Sequence, residues 1–411
     1  MKVVFCIYDG KNIINGINAW IMKLLPELVK KEIEVSVICI AWAAENDCTV
    51  LPLLKKSGVD CTVMPYPHYT EKQVKWILQY LNTCKPEVFV PGNMLPALYA
   101  SKWVIQAGIA TVGILHNDDQ EYAAIIHEFI EKKYCTYLTA VVAVSSTIYK
   151  KVSNVETSVN AYQIPYGSLL PDNKSTYTPG EIFKVVYMGR IVQEQKRIGD
   201  IVTAFCYCAQ QLSNIELYIY GSGPDEYIVE QILKDHHSPA NIFFVGNISN
   251  QDAQNVLLKS HCIVLMSDYE GIPVALIEAM ACGVVPICKW IESGIPELLT
   301  NDKTGFFIEQ PINLSAKIKQ LQFNPVLWEE MSANCKQLIQ NKFSSTINAE
   351  KWITLFKEVT SDEQVNIKIP FNIKLPPSNP HLLGGDNRNP GFLHRALKKT
   401  RQIILKTTID K

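Results

Sequence analysis

Short β-rich runs alternate with helical patterns almost from end to end of this 411-residue chain, and that alternation limits the fold more than any single motif. The candidate strands are Val3–Ile7, Glu34–Ile40, Cys61–Met64, Val88–Val90, Ala110–Leu115 and Ala140–Val144. Between them lie amphipathic stretches such as Ala19–Lys31, where Trp20, Ile21, Leu24, Leu25 and Leu28 keep to one helical face. A second series runs through Phe183–Met188, Glu216–Tyr220, Ile242–Val245, Cys262–Leu265 and Val284–Ile287. Strands that alternate with helices predict parallel sheets covered on both faces. Between the two series, residues 165–171 and Asp172–Glu181 are rich in Pro, Gly, Ser and Thr, which marks a linker. The fold class is therefore α/β, with two Rossmann-like domains facing each other across a cleft. Ligands are expected at the carboxyl ends of the strands.

Composition agrees with two full cores. Apolar residues make up 47 % and charged residues 19 %, as in a globular rather than a disordered chain. Twelve cysteines fall mostly in or beside apolar segments and form no C-x-x-C pair, which argues for reduced thiols and against zinc. The opening MKVVFCIYDG reads as a buried strand and a glycine turn, with no signal-peptide cleavage site. No apolar run approaches the ~20 residues that span a bilayer. The expectation is a cytoplasmic protein, peripheral at the inner membrane face if anything anchors it, with no nucleic-acid partner.

The division along the chain reads as an N-terminal domain over residues 1–170 and a C-terminal domain over residues 171–345. Residues 346–360 form a helix packing back toward the first domain. Beyond it, residues 361–391 hold Pro370, Pro376, Pro377, Pro380 and Pro390 and predict an extended, weakly ordered tether. Phe392–Lys411 recovers helical spacing, with Phe392, Leu393, Ala396, Leu397, Ile403 and Ile404 on one face. From Gly391 onward six basic residues and one acidic give +5, against −1 for the whole chain, leaving −6 for the body. That polarity suits either an interfacial helix on anionic lipid or a helix docked on the protein.

The residues with chemical potential cluster after the predicted strands. Met266-Ser-Asp-Tyr-Glu270-Gly-Ile-Pro-Val-Ala-Leu-Ile-Glu278 places two glutamates around a helix start, with Pro273 suited to its first turn. Residues eight apart stand ~80° apart around a helix, so the preceding loop must carry Glu270 to the site. A helix N-terminus there attracts phosphate through free N–H groups and the dipole. Arg190 leaves the end of Phe183–Met188 and Lys196 follows a short turn later. Two such cations would neutralise a diphosphate, although Arg and Lys after a strand more often face solvent. Gly221-Ser-Gly223-Pro224 has Glu226 where a dinucleotide fingerprint needs its third glycine, so a tight turn explains most of it. Gly10 and Gly16 flank the first long loop. His116 ends a strand and opens the polar run His-Asn-Asp-Asp-Gln-Glu-Tyr, in which Asp118 and Asp119 fit a helix cap better than a metal pair. Glu292-Ser-Gly-Ile-Pro-Glu297 supplies another loop with exposed N–H groups before a helix.

In this order the segments resemble the family-4 retaining glycosyltransferases of the GT-B fold, the glycosyl transferases of group 1. The match covers roughly residues 1–358 and is best over 183–308. It rests on Gly189-Arg190 with Lys196, the GSGP turn, the E-x7-E pair Glu270 and Glu278, and the string SGIPELL, supported by VVAVS and IPYGS upstream. The resemblance implies that Arg190 and Lys196 bind a donor diphosphate and that Glu278 binds the ribose. Glu270, with the N–H groups around Gly271 and Ile272, would hold the donor sugar. His116 would contact the transferring sugar, with Gly16 and Gly221 near the donor. It implies a nucleotide-diphosphate sugar as donor, a carbohydrate or lipid-linked acceptor, no required metal or other cofactor, and front-face transfer assisted by the leaving diphosphate. The departures are a Lys196 one residue late, Pro273 after Gly-Ile, and Ser293 in place of a glycine. Candidate acceptor contacts are Trp20, Trp42, Tyr66, His68 and Tyr69. An epimerase on the same fold and an idle nucleotide-sugar-binding scaffold are the alternatives.

Overall fold

The computed structural model describes residues 1–11, 15–66, 68–131, 137–361, 363–382 and 386–388. The first sheet contains β1 (Lys2–Asp9), β2 (Glu34–Ala41), β3 (Asp60–Pro65), β4 (Val88–Gly92), β5 (Ala110–Leu115), β6 (Ala140–Ala143) and β7 (Asn160–Gln163). All pairs are parallel, in the order β3-β2-β1-β4-β5-β6-β7. The second sheet contains β8 (Phe183–Met188), β9 (Ile215–Tyr220), β10 (Ile242–Gly246), β11 (Cys262–Leu265), β12 (Val285–Lys289) and β13 (Phe306–Ile308), in the parallel order β10-β9-β8-β11-β12-β13. Helices cover both faces, so central strands such as β2 and β11 are buried along nearly their whole length and read as continuous apolar runs. The expected series of strands is present. The sequence reading omits β7 and β13, one polar and half-exposed, the other only three residues long.

In each sheet the strand order reverses once, between β1 and β4 and between β8 and β11. Parallel sheets receive ligands at the carboxyl ends of strands beside such a reversal. The two sheets present these ends to one shared cleft, and the apolar core is continuous behind it. One buried cluster runs from β1 and the helix Gly16–Lys30 through Ile272, Val274 and Ile277 to Trp352 and Phe356.

The chain crosses between the sheets twice, and the crossings pair with each other. Ser168 N donates to the Phe343 carbonyl at 2.9 Å, and Ser345 N to the Ser168 carbonyl at 2.8 Å. The helix Ser345–Val359 then lies on the first domain. Its Trp352 ring sits 6.2 Å from Phe5 and 5.8 Å from Trp20, while Trp20 Nε1 donates to Asn348 Oδ1 at 3.0 Å. The linker after Ser168 is pinned to the second domain by Lys336, whose Nζ donates to the carbonyls of Pro171, Asp172 and Asn173 at 2.9, 3.2 and 3.1 Å.

The Pro-rich segment departs from the weakly ordered tether that its composition predicts. It runs extended but is docked on the first domain. Val365 N donates to the Ala107 carbonyl at 3.0 Å, Ile367 and Leu382 are buried, and Arg388 bonds Asp386 and the Tyr99 hydroxyl. Prolines enforce extension without forbidding burial, and Ile367 and Leu382 anchor the strap beside these hydrogen bonds. The expected basic helix Phe392–Lys411 lies outside the described residues. Among the described residues no helix is long and apolar enough to cross a membrane.

Candidate active site

The second sheet builds one wall of the cleft from loops that hold one another. Arg190 follows β8, and its Nη2 donates to Gln195 Oε1 at 2.5 Å; Gln195 Nε2 donates to the Tyr269 carbonyl at 3.2 Å. Tyr187 on β8 donates its hydroxyl to the Arg190 carbonyl at 2.6 Å. Glu270, 6 % exposed, accepts from the Ser267 hydroxyl at 2.7 Å and forms an ion pair with Lys196. A cation and a carboxylate expected to act on different parts of one ligand thus neutralise each other.

Pro273 stands one position earlier than the sequence suggests. Its ψ of 115° is extended, so it caps the helix Val274–Ala281 instead of entering the first turn. That helix N-terminus opens on the cleft opposite the N-terminus of Gly16–Lys30, which Asn15 caps by accepting from Asn18 N at 2.9 Å. Glu278 sits a little over one turn in, half-buried, and pairs with Lys23 from the first domain. The GSGP turn lies directly on the Arg190 loop. Gly221 has φ +135°, and a Cβ there would collide with the Gly189 carbonyl, so both the backbone angle and the close approach demand glycine.

The first domain contributes His116 from the end of β5. Its Nδ1 shares a 2.6 Å hydrogen bond with the Tyr166 hydroxyl, and the Trp20 ring lies 5.7 Å away. Burial pushes the imidazole pKa down to about 3, so the ring is neutral at physiological pH. Burial first, and the Glu270 charge second, push the Tyr166 hydroxyl well above its usual range, so it stays protonated. The domains touch here so closely that a Cβ on Gly271 would collide with the His116 carbonyl. Gly16 is less constrained, because a Cβ there would meet Val274 Cγ2 at an ordinary 3.4 Å.

The expected residues therefore meet. Gly16, His116, Arg190, Lys196, Glu270, Gly271 and Ile272 all line one cleft of about 540 Å³. Gly221 and Glu278 line an adjoining cavity of about 150 Å³ that shares Gly16 and Arg190 with it. Residues 292–297 behave differently from the sequence reading. They turn away from the cleft and clamp the domains: Glu297 accepts from Ser146 N at 2.6 Å and from Gln163 Nε2 at 2.9 Å, and the Thr147 hydroxyl donates to the Ser293 carbonyl at 3.3 Å. Their only helix is the four-residue Ile295–Leu298, too short to present a binding terminus. Trp20 is 1 % exposed and packs in the core. Asp119 caps the helix Gln120–Ile125, accepting from Tyr122 N at 3.1 Å, while Asp118 pairs with Lys151. Among the described residues no three of His, Cys, Asp and Glu cluster as a metal site would require.

Sequence reasoning missed Asn15, Asn93, Asn117, Glu121 and Tyr166, all of which line the cleft. Asn93 and Asn117 stand just beyond β4 and β5, and position at a strand end was the available signal. Tyr166 reaches His116 from the linker and carries no local signal. Asn117 Oδ1 is buried without a hydrogen-bond partner.

Two parallel-sheet domains that share a cleft at their strand ends define a GT-B protein. Residues 172–342 match the family described as glycosyl transferases group 1. The chain is similar to N-acetyl-alpha-D-glucosaminyl L-malate synthase of Bacillus anthracis, 26 % identical over 193 residues that cover 46 % of this chain and 50 % of that protein. It is also similar to poly(ribitol-phosphate) alpha-N-acetylglucosaminyltransferase of Staphylococcus aureus (strain COL), 28 % identical over 39 % of this chain and 33 % of that protein. The chain thus spans half the length of the first relative and a third of the second. Among solved structures, Anabaena Alr3699/HepE in complex with UDP and glucose superposes with a TM-score of 0.69 at 15 % identity, covering 87 % of this chain and 100 % of that one.

Proposed function

We propose that this protein is a retaining glycosyltransferase, of the family-4 kind, that moves a sugar from a nucleotide-diphosphate sugar to a hydroxyl of a glycan, polysaccharide or glycolipid acceptor. The observation that carries the reading is the convergence of Arg190, Lys196 and Glu270 from one domain with His116 from the other on a single cleft. Uridine diphosphate, bound in the Anabaena structure, is the first donor nucleotide to test.

The residues divide the work by chemistry. Arg190 and Lys196 bind the diphosphate and stabilise the charge that builds as it leaves, so no metal is invoked. A diphosphate competes with Glu270 for Lys196, and this competition frees the Glu270 carboxylate to accept from the donor sugar hydroxyls. The N–H groups around Gly271 and Ile272 hold the same sugar. Glu278 accepts from the ribose hydroxyls beside Gly221, and Gly16 lets the opposing helix approach the donor. His116, neutral and tied to Tyr166 through Nδ1, keeps Nε2 for the transferring sugar. The acceptor oxygen bonds to the anomeric carbon as the bond from that carbon to the diphosphate oxygen breaks. The acceptor proton passes to the departing diphosphate. A seam this close also excludes water from the donor. The basic segment 392–411 supplies a contact with anionic lipid, which places the protein at the cytoplasmic face of a membrane.

Proton NMR of the product tests the chemistry. An α-linked nucleotide sugar is expected to give an α-linked product. A β-linked product would contradict retention, and neither transfer nor hydrolysis of any nucleotide sugar would contradict the transferase reading.

A further inference from the structure

The strap that crosses the first domain carries charge of one sign. From Gln364 to Lys411 the chain has nine basic and two acidic residues, a net +7 against −1 for the whole protein, which leaves −8 for residues 1–363. No carboxylate occurs between Gln364 and Asp386, and Asp386 keeps only 7 % of its side chain exposed and pairs with Arg388.

The strap runs antiparallel to the helix Thr70–Cys84. Ile367 N donates to Asn82 Oδ1 at 2.8 Å near the end of that helix, and Lys75 Nζ donates to the Phe371 carbonyl at 3.4 Å. At its start Thr70 N donates to the Asn387 carbonyl at 2.8 Å, and Asn387 N donates back to Thr70 Oγ1 at 2.8 Å. This helix begins just beyond the end of β3, so the described strap finishes at Arg388 on the strand-end rim of the first domain. Residues 389–411, with most of the positive charge, follow from that rim.

Along the strap the side chains alternate. Ile367, Ile369, Ile373 and Leu375 pack on the domain core, while Lys368 and Lys374 are exposed. By this period Phe371 belongs to the inner row. A bend at 371–372, just after Pro370, turns it out instead, and it is 89 % exposed. Lys75 stands over its ring, 5.5 Å from the centroid, and Lys72 lies one turn away on the same side of the helix. A fully presented aromatic ring thus sits among lysines.

We propose that this strap face, Lys368, Phe371 and Lys374 with Lys72 and Lys75, lies on an anionic lipid bilayer, so that the first domain and not the second rests on the membrane. The inference rests on the membrane contact of the proposed function and names the surface that makes it. Cations gather at anionic headgroups, and an aromatic ring seats at the same level beside the acyl boundary. A soluble polyanion would satisfy the lysines but leave Phe371 in water, which favours the bilayer. The −8 body is repelled from the same surface, so the charge asymmetry also sets the orientation.

Hydrogen exchange on the full chain, with vesicles of equimolar phosphatidylcholine and phosphatidylglycerol, needs no variant. Slower exchange is expected over residues 366–375 on vesicle addition, with no change over the edge strand β10. Sedimentation with the same vesicles gives a second reading. Lys368→Glu with Lys374→Glu is expected to lower the partition coefficient by roughly tenfold or more, since each basic residue near an anionic surface contributes about fivefold. Phe371→Ser is expected to lower it by roughly fivefold. Lys234→Glu with Lys303→Glu, the same charge change on exposed positions of the second domain, is expected to leave it within about twofold. Protection confined to 392–411, equal losses in the two double variants, or binding to heparin without binding to vesicles would overturn the proposal. If the full chain shows no preference for these vesicles over phosphatidylcholine alone, the membrane contact falls with it. Turnover of a nucleotide sugar, measured without vesicles, bears on the transferase reading alone.

Discussion

Glu278 and Lys23 are joined across the two domains, so a nucleotide that uses Glu278 must share or replace an existing ion pair. Hydrogen bonds to a charged group contribute about 1.5–3 kcal/mol, and each 1.4 kcal/mol is about tenfold in affinity. Glu278→Ala is therefore expected to weaken nucleotide binding by about ten- to a hundredfold in a calorimetric titration. An unchanged Kd would remove Glu278 from the site. His116→Ala, by contrast, is expected to lower kcat with little effect on nucleotide Kd, because the proposed function sets its imidazole against the sugar and not the nucleotide. The same residue carries a pH signature. Burial lowers His116 to about 3 and His261 to about 4 from an ordinary 6.5, so the folded protein holds both rings neutral. Between those values and 6.5 the unfolded chain binds more protons, and stability rises with pH; above 6.5 neither ring adds a slope. Each histidine then removes up to about 1.4 kcal/mol per unit as pH falls below 6.5. Urea midpoints taken from pH 7 down to pH 5 are expected to decline, and a flat profile would show that these rings are protonated when folded.

At the scale of elements, the alternation of apolar runs and amphipathic stretches made the parallel sheets legible, because buried strands have no polar face to confuse the pattern. The candidate site was legible where a residue stands just beyond a strand, as His116 and Arg190 do, or in the loop after one, as Glu270 does. It was illegible where partners come from elsewhere: Tyr166 reaches His116 from the linker, and Lys23 reaches Glu278 from another domain. The contacts of Glu297 were hidden for the same reason, since only the folded chain shows it bonded to Ser146 and Gln163. The docked strap was hidden by its prolines, and its contribution can be measured. Ending the chain after Thr360 uncovers the surface that Ile367 and Leu382 cover. Burying each such side chain contributes about 1.5–3 kcal/mol as an upper range. A truncation at 360 is expected to lower the unfolding midpoint clearly, whereas one at 390 is expected to leave it nearly unchanged and to reduce binding to anionic vesicles. Equal midpoints for the two truncations would show that the strap contributes no stability.

For the molecule as a whole, two sheets present their strand ends to one cleft, and two paired crossings join them. Gly271 against His116, Lys23 with Glu278 and Glu297 with Ser146 hold the domains together. A donor that enters must therefore act on both domains at once, and its binding energy should appear as stability of the whole chain. Thermal unfolding with UDP, GDP, ADP and TDP and their sugar conjugates, on the natural sequence and on Arg190→Ala, tests this most directly. At about a hundred times Kd a bound nucleotide adds about 2.7 kcal/mol. The account predicts a raised midpoint with one nucleotide class and loss of that increase in Arg190→Ala. No increase with any nucleotide, or an equal increase in the variant, would contradict it.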